Sequence, residues 1–213
     1  MAKTTSVITI GRQFGSGGRY VGEMLAERLD IPFYDKSILT EAARDSGICE
    51  ELFEQHDERP TRSLLFSLVS GTGMGADASG YMGMPLQHKI FLAQFDTIRR
   101  VASEGPCVIV GRCADYVLRD APNAVKIFIK APFVDRVARA IERGADPNKA
   151  EDVVKKNDKQ RSSYYNYYAT ATWGDVNNYD LCVDTSSLGY EGTVDLLEQF
   201  IKMHDRAQLL GKA

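Results

Sequence analysis

What the sequence lacks narrows its class before any motif is considered. No apolar run approaches the roughly 20 residues that a membrane-spanning helix needs. The opening MAKTTSVITI does not have the layout of a secretory signal. A cytoplasmic protein without membrane contact is therefore expected. Neither charge dominates: 26 Lys and Arg against 29 Asp and Glu leave a net charge of −3, which argues against a general nucleic-acid coat. The four cysteines (49, 107, 113 and 182) form no CxxC pair and are widely spaced, so neither a metal site nor a disulfide framework is indicated. Internal repeats are absent, and nothing in the sequence indicates a homo-oligomer.

What is present is a regular alternation. Five β-rich runs stand out: SVITI (6–10), IPFYD (31–35), CVIV (107–110), AVKIFI (124–129) and DLCVD (180–184). Several are apolar on both parities, as strands covered on two faces are. Helical patterns separate them over 18–29, 36–46, 87–104, 132–143, 146–165 and 190–210. The succession predicts one α/β domain built on a doubly wound, five-stranded parallel sheet. Two stretches interrupt it. SGTGMGADASGYMGMP (70–85) reads as a long Gly- and Met-rich loop, and QRSSYYNYYATATWGD (160–175) is unusually aromatic. Such an aromatic strip suits either the bases of a single strand or the packing of a helix on its core. The low local charge favours packing.

The stretch with chemical content is FGSGGR, residues 14–19, between the first strand and the first helix. A glycine loop that opens a helix directs several backbone N–H groups at one spot, where the helix dipole also favours an anion. The usual phosphate-loop pattern, G-x-x-x-x-G-K-[ST], also supplies a lysine and a hydroxyl. Here, with Gly17 as the second glycine, Gly18 takes the lysine position and Arg19 the hydroxyl position; with Gly18 as the second glycine, Arg19 and Tyr20 take them. A dinucleotide fingerprint fails too, because Tyr20 stands where a third glycine belongs. Taken alone, the loop also fits a tight strand-to-helix turn that binds nothing.

Longer stretches resolve this choice by resemblance. FGSGGRYVGEMLAERLDIPFYD is similar to the opening of cytidylate kinases, and VIVGRCADYVLRDAPNAVKIFIKAPFVDRVAR to their G-R-D turn, following strand and R-A-x-R helix. DKQR resembles the D-x-x-R of their lid, and DLCVDTSS their last strand. The phrase R-[QE]-F-G-S-G-G, present as residues 12–18, marks the divergent branch called cytidylate kinase-like proteins. The resemblance implies a nucleoside-monophosphate-kinase fold of the P-loop type, with ATP and Mg²⁺ as cofactors and a small nucleotide as partner, without nucleic acid. It implies a core at about 1–35, 87–145 and 176–213, a monophosphate-binding insert at about 36–86 and an arginine-bearing lid at about 146–175.

Residue by residue, Gly15, Ser16, Gly17, Gly18, Arg19 and Tyr20 fall on the triphosphate loop, with Arg19 the nearest cation to replace the lysine. Asp35, Arg112 and Arg136 fall on the acceptor side. Arg139 and Arg161, from different helices, would meet around the transferring phosphates, and their mutual repulsion would hold an empty lid open. From spacing alone, Arg136, Arg139 and Arg143 could equally form a solvated helix face, and Arg161 could serve its own helix end. The chain departs from the kinases at four places. The lysine is absent, Val110 stands for an acidic residue, Cys113 stands for the G-R-D aspartate with Asp115 two residues on, and Glu41 stands for a phosphate-binding arginine. Cytosine specificity is therefore not carried over.

Overall fold

The computed structural model describes residues 3–48, 51–52 and 85–211. Strands β1 (Val7–Arg12), β2 (Phe33–Tyr34), β3 (Val108–Val110), β4 (Ala124–Lys130) and β5 (Leu181–Asp184) form one parallel sheet in the order β2-β3-β1-β4-β5. The doubly wound, five-stranded sheet read from the alternation is thus present. Strand β1 is central, pairing with β3 on one side and β4 on the other. Its Val7, Ile8, Thr9 and Ile10 are all buried, because helices cover both faces.

The helices are α1 (Gly18–Leu29), α2 (Ser37–Ser46), α3 (Leu86–Glu104), α4 (Ala114–Val117), α5 (Phe133–Glu142), α6 (Ala150–Tyr168) and α7 (Thr185–Leu209). Helices α1 and α7 bury Leu25, Leu29, Leu197 and Ile201 against Ile8, Ile10 and Ile127. On the opposite face Ile38, Ile90 and Ile98 of α2 and α3 pack with Val7 and Ile109. None of the described helices is long and apolar enough to cross a membrane. Because all strands are parallel, their C-terminal ends share one edge, where open α/β sheets bind ligands as the chain switches sides.

Three elements differ from the sequence expectation. Helix α6 starts four residues late, because the Asp146 carboxylate accepts from the Asn148 N–H (2.9 Å) and holds a turn there. It then runs on through the aromatic stretch to Tyr168, since Tyr164 and Tyr165 are core residues. Helix α7 begins at Thr185, capped by the Asp184 side chain on the Ser186 N–H, and only kinks at Gly189 (φ 66°, ψ 179°). The four-residue α4 was not anticipated. The predicted loop over 70–85, Pro85 apart, and most of the proposed insert lie outside the described residues.

Candidate active site

The loop between β1 and α1 lies against two other helices, and that contact dictates its glycines. Gly15 (φ 76°) and Gly17 (φ 81°) are left-handed. A Cβ on Gly15 would stand 2.7 Å from the Arg136 carbonyl oxygen, and one on Gly17 would stand 2.3 Å from the Tyr190 ring. Tyr190 also meets Tyr20 edge to face at 5.2 Å. Gly17→Ala is therefore expected to destabilise the fold by about 1–3 kcal/mol through backbone strain and overpacking. In urea unfolding, part of that loss should return when Tyr190→Ala is added. A loss of ligand binding in Gly17→Val would then report loop distortion as much as a blocked phosphate.

The carbonyls on the rear of the loop are held from behind. Thr185 Oγ1 donates to the Ser16 carbonyl (2.7 Å), and Arg139 donates to Thr185 (2.9 Å), Ser186 (3.2 Å) and the Gly15 carbonyl (3.4 Å). The Ser16 hydroxyl is spent on the Gln13 carbonyl (2.9 Å). At the front of the loop no side chain among the described residues caps α1, and a cavity of about 310 Å³ lies over its N-terminus. Among the described residues six cationic side chains line that cavity, Arg12, Arg19, Lys36, Arg112, Arg143 and Arg161, against a single carboxylate, Asp35.

Asp35 is the hinge of this charge arrangement. One oxygen accepts from Arg112 Nη1 (2.9 Å) and the other from Arg19 Nε (2.9 Å). Burial works against its charge, but the guanidinium groups of Arg112 and Arg12 and the hydrogen bonds from Arg112 and Arg19 outweigh it, so the carboxyl is held below its ordinary range. Arg112 is 3% exposed and also donates to the Val110 carbonyl (3.0 Å). It sits in a turn where Gly111, Arg112 and Cys113 are all left-handed (φ 78°, 54° and 57°). For the two non-glycine residues that conformation costs about 1–2 kcal/mol each. It turns the Arg112 side chain back toward Val110 at the end of β3 and Asp35 just beyond β2.

Helix α6 is fastened to the loop. Asp158 accepts from the Phe14 N–H (2.7 Å) and from Arg136, whose guanidinium is buried and also reaches the carbonyls of Ala131 (3.1 Å) and Phe14 (3.2 Å). Arg161 lies over the Phe14 ring and donates to the Arg12 carbonyl (3.4 Å). Further along, Tyr164 donates to Gln94 (3.1 Å), Tyr165 to Asp115 (2.6 Å), and Tyr168 stacks on Phe91 at 4.0 Å. The tyrosines of the aromatic strip thus largely pack α6 on the core, although Tyr167 stays exposed. Burial raises the pKa of Asp115, and burial together with the adjacent Asp115 raises that of Tyr165.

The structure therefore brings Gly15, Gly17, Gly18, Arg19, Tyr20, Asp35, Arg112 and Arg161 to one cavity, with buried Ser16 serving inside the loop. It does not bring Arg136 or Arg139 there; each braces the loop from outside. Arg139 and Arg161 accordingly do not converge on the cavity together, and α6 is docked through Asp158 and its tyrosines. Sequence reasoning missed Arg12, Lys36, Arg143 and Asp158. Arg12 opens the R-x-F-G-S-G-G phrase and Asp158 opens D-x-x-R, so a signal existed for those two. The described residues offer magnesium no cage. No cluster of three potential ligand residues occurs among the described residues, Arg19 stands where a hydroxyl is usual, and both oxygens of Asp35 are taken by arginines.

A central parallel strand, a glycine turn opening a helix and a cation-lined cavity at the sheet's C-terminal edge together define the P-loop kinase fold. A gluconokinase from Sinorhizobium meliloti shares it, with a TM-score of 0.56 at 14% identity over 99% of both chains. Within that class the assignment is narrower: the chain belongs to the cytidylate kinase-like family, whose profile matches residues 7–187. An uncharacterized protein from Eubacterium ventriosum is 31% identical, with a TM-score of 0.69 over 92% of this chain and 98% of its own. A cytidylate kinase from Methanosarcina acetivorans is 29% identical over 100 residues, which is 46% of this chain and 55% of that relative's length.

Proposed function

We propose that the protein transfers the terminal phosphoryl group of ATP to the phosphate of a nucleoside monophosphate. The observation that carries this reading is the cavity itself, with six cations against one carboxylate among the described residues over the N-terminus of α1. Two phosphate groups would be brought together there, one on the loop's backbone N–H groups and the other beside Arg112. Phosphoryl transfer asks little covalent chemistry of a protein; it asks for alignment and for charge against the moving group. An oxygen of the acceptor phosphate forms a bond to the terminal phosphorus as the bond to the bridging oxygen of ATP breaks, and ADP leaves. Arg112 would hold the acceptor, Arg161 would reach across from α6, and guanidinium groups suit both tasks because they can bind phosphate through paired hydrogen bonds. Helix α6 acting as a lid, the 36–86 segment acting as an acceptor insert, and magnesium travelling with ATP all belong to this proposal.

A second reading, a nucleotide-binding protein without turnover, is favoured by one feature: glycine stands where the loop lysine is usual. One experiment separates the two. Calorimetry with ATP, followed by an ADP-release assay across the four ribonucleoside monophosphates, is expected to show binding and acceptor-dependent ADP formation. Binding without ADP release would leave only the second reading, and no binding would remove both.

A further inference from the structure

The missing lysine has a steric cause, and its cause is another cation. Helix α1 starts at Gly18 with Gly17 as its N-cap, which fixes Gly17 as the second glycine of the G-x-x-x-x-G-K-[ST] pattern and Gly18 as the lysine position. Counting back five residues, the first glycine position is held by Arg12, the last residue of β1. Two positions therefore depart from the pattern, with arginine in place of glycine at 12 and glycine in place of lysine at 18.

The packing links the two departures. A Cβ built on Gly18 would come within 2.6 Å of Arg12 Cβ and 3.2 Å of Arg12 Cγ, with Ile129 Cβ at 3.2 Å on the other side. The stem of Arg12 fills the space through which a side chain at 18 would have to leave the backbone. A lysine at 18 and an arginine at 12 exclude each other, whereas glycine at 12 would leave room for the lysine. The Arg12 side chain lines the cavity beside the loop, and its charge is felt by Asp35 across it.

Arg19, the nearest cation in sequence, is placed differently. It gives Nε to Asp35 (2.9 Å), turns Nη1 toward Glu23 (3.4 Å), and its side chain is 61% exposed. From the rim its charge is shared between buried Asp35 and partly exposed Glu23.

The geometry points to Arg12 as the cation that takes over the lysine's work, binding the terminal phosphates of ATP from the end of β1. This assignment rests on the phosphoryl-transfer reading and deepens it. It also makes the residue pair 12 and 18 the determinant of which type of loop the chain builds.

The test is a swap, with thermal unfolding run on every variant. Arg12→Met keeps the stem against Gly18 and removes only the charge. Its kcat is expected to fall about 100-fold, the scale of one lost donor to developing charge, with ATP affinity falling about tenfold. Gly18→Lys alone should be damaging, because the clash with Arg12 remains. Arg12→Gly combined with Gly18→Lys, which restores the usual pattern, should recover at least about tenfold in kcat over Arg12→Gly. A folded Arg12→Met turning over within about threefold of the parent would overturn the assignment, as would a folded double variant no better than Arg12→Gly. If the parent binds ATP but forms no ADP, the phosphoryl-transfer reading fails on its own and calorimetry decides Arg12: undiminished ATP affinity in Arg12→Met then overturns it. If the parent binds no ATP, both fall.

Discussion

Arg112→Ala is expected to lower the unfolding free energy by about 3–5 kcal/mol, because it strips one partner from a buried ion pair. The side chains of Arg112 and Asp35 are 1% and 10% exposed, so neither charge can turn to water when the other is removed. Arg19 remains on the far oxygen of Asp35, but from the rim, and cannot replace a buried donor. Adding Asp35→Asn to Arg112→Ala should return part of the loss, since an amide needs no counter-charge. The pH dependence follows from the direction of the shift. The folded-state pKa of Asp35 lies below its ordinary value, so its contribution is complete above the ordinary carboxylate range of about 4 and is lost as pH falls through the lower folded value. Asp35→Asn should therefore flatten the acid limb of the stability curve. Urea unfolding of the four members of the cycle between neutral and acid pH checks both points. A loss below about 1 kcal/mol in Arg112→Ala would mean the pair contributes little to the fold. Acceptor affinity in this variant has to be read well below its midpoint of unfolding, or loss of fold will pass for loss of a phosphate contact.

That double duty of Arg112 was not visible in the sequence, and the reason is general to this site. Elements governed by local pattern were legible. The apolar strands read directly because burial on two faces leaves little room for charged residues, and α1 appears over the range that its apolar spacing predicts. Partners far apart in the chain were not legible. Periodicity places Arg136, Arg139 and Arg143 near one another on a helix, yet the first meets Asp158, the second Thr185, and the third lines the cavity. Gly17 looked like a phosphate requirement, and its nearest constraint proved to be Tyr190. The aromatic stretch looked like an interruption because tyrosine favours helix only weakly; burial of Tyr164 and Tyr165 carries α6 through it. Arg12 was passed over because it precedes the glycines, whereas attention fell on cations that follow the loop.

The second large effect is expected at Asp158. This carboxylate, 19% exposed, joins three parts of the molecule: α6, the Arg136 guanidinium of α5, and the Phe14 N–H at the head of the glycine loop. Asp158→Ala leaves a buried guanidinium facing only carbonyls and a loop N–H without its acceptor, a loss of about 3 kcal/mol. Arg136→Ala should cost a similar amount, because it removes the charge that Asp158 answers. The two losses should not add: the double variant is expected to be little worse than either single one, with a coupling energy above about 0.5 kcal/mol. Function should follow the same link. With Asp158 gone, the head of the loop is left with the weaker Arg161 contacts to α6, so cleavage by protease within 150–168 should rise at temperatures far below unfolding, and ATP affinity should fall although no phosphate contact has been removed. Additive losses in the cycle would show that Asp158 and Arg136 act separately. Cleavage that appears only at the unfolding midpoint would show that α6 opens with the whole domain, as part of the core and not as a lid upon it.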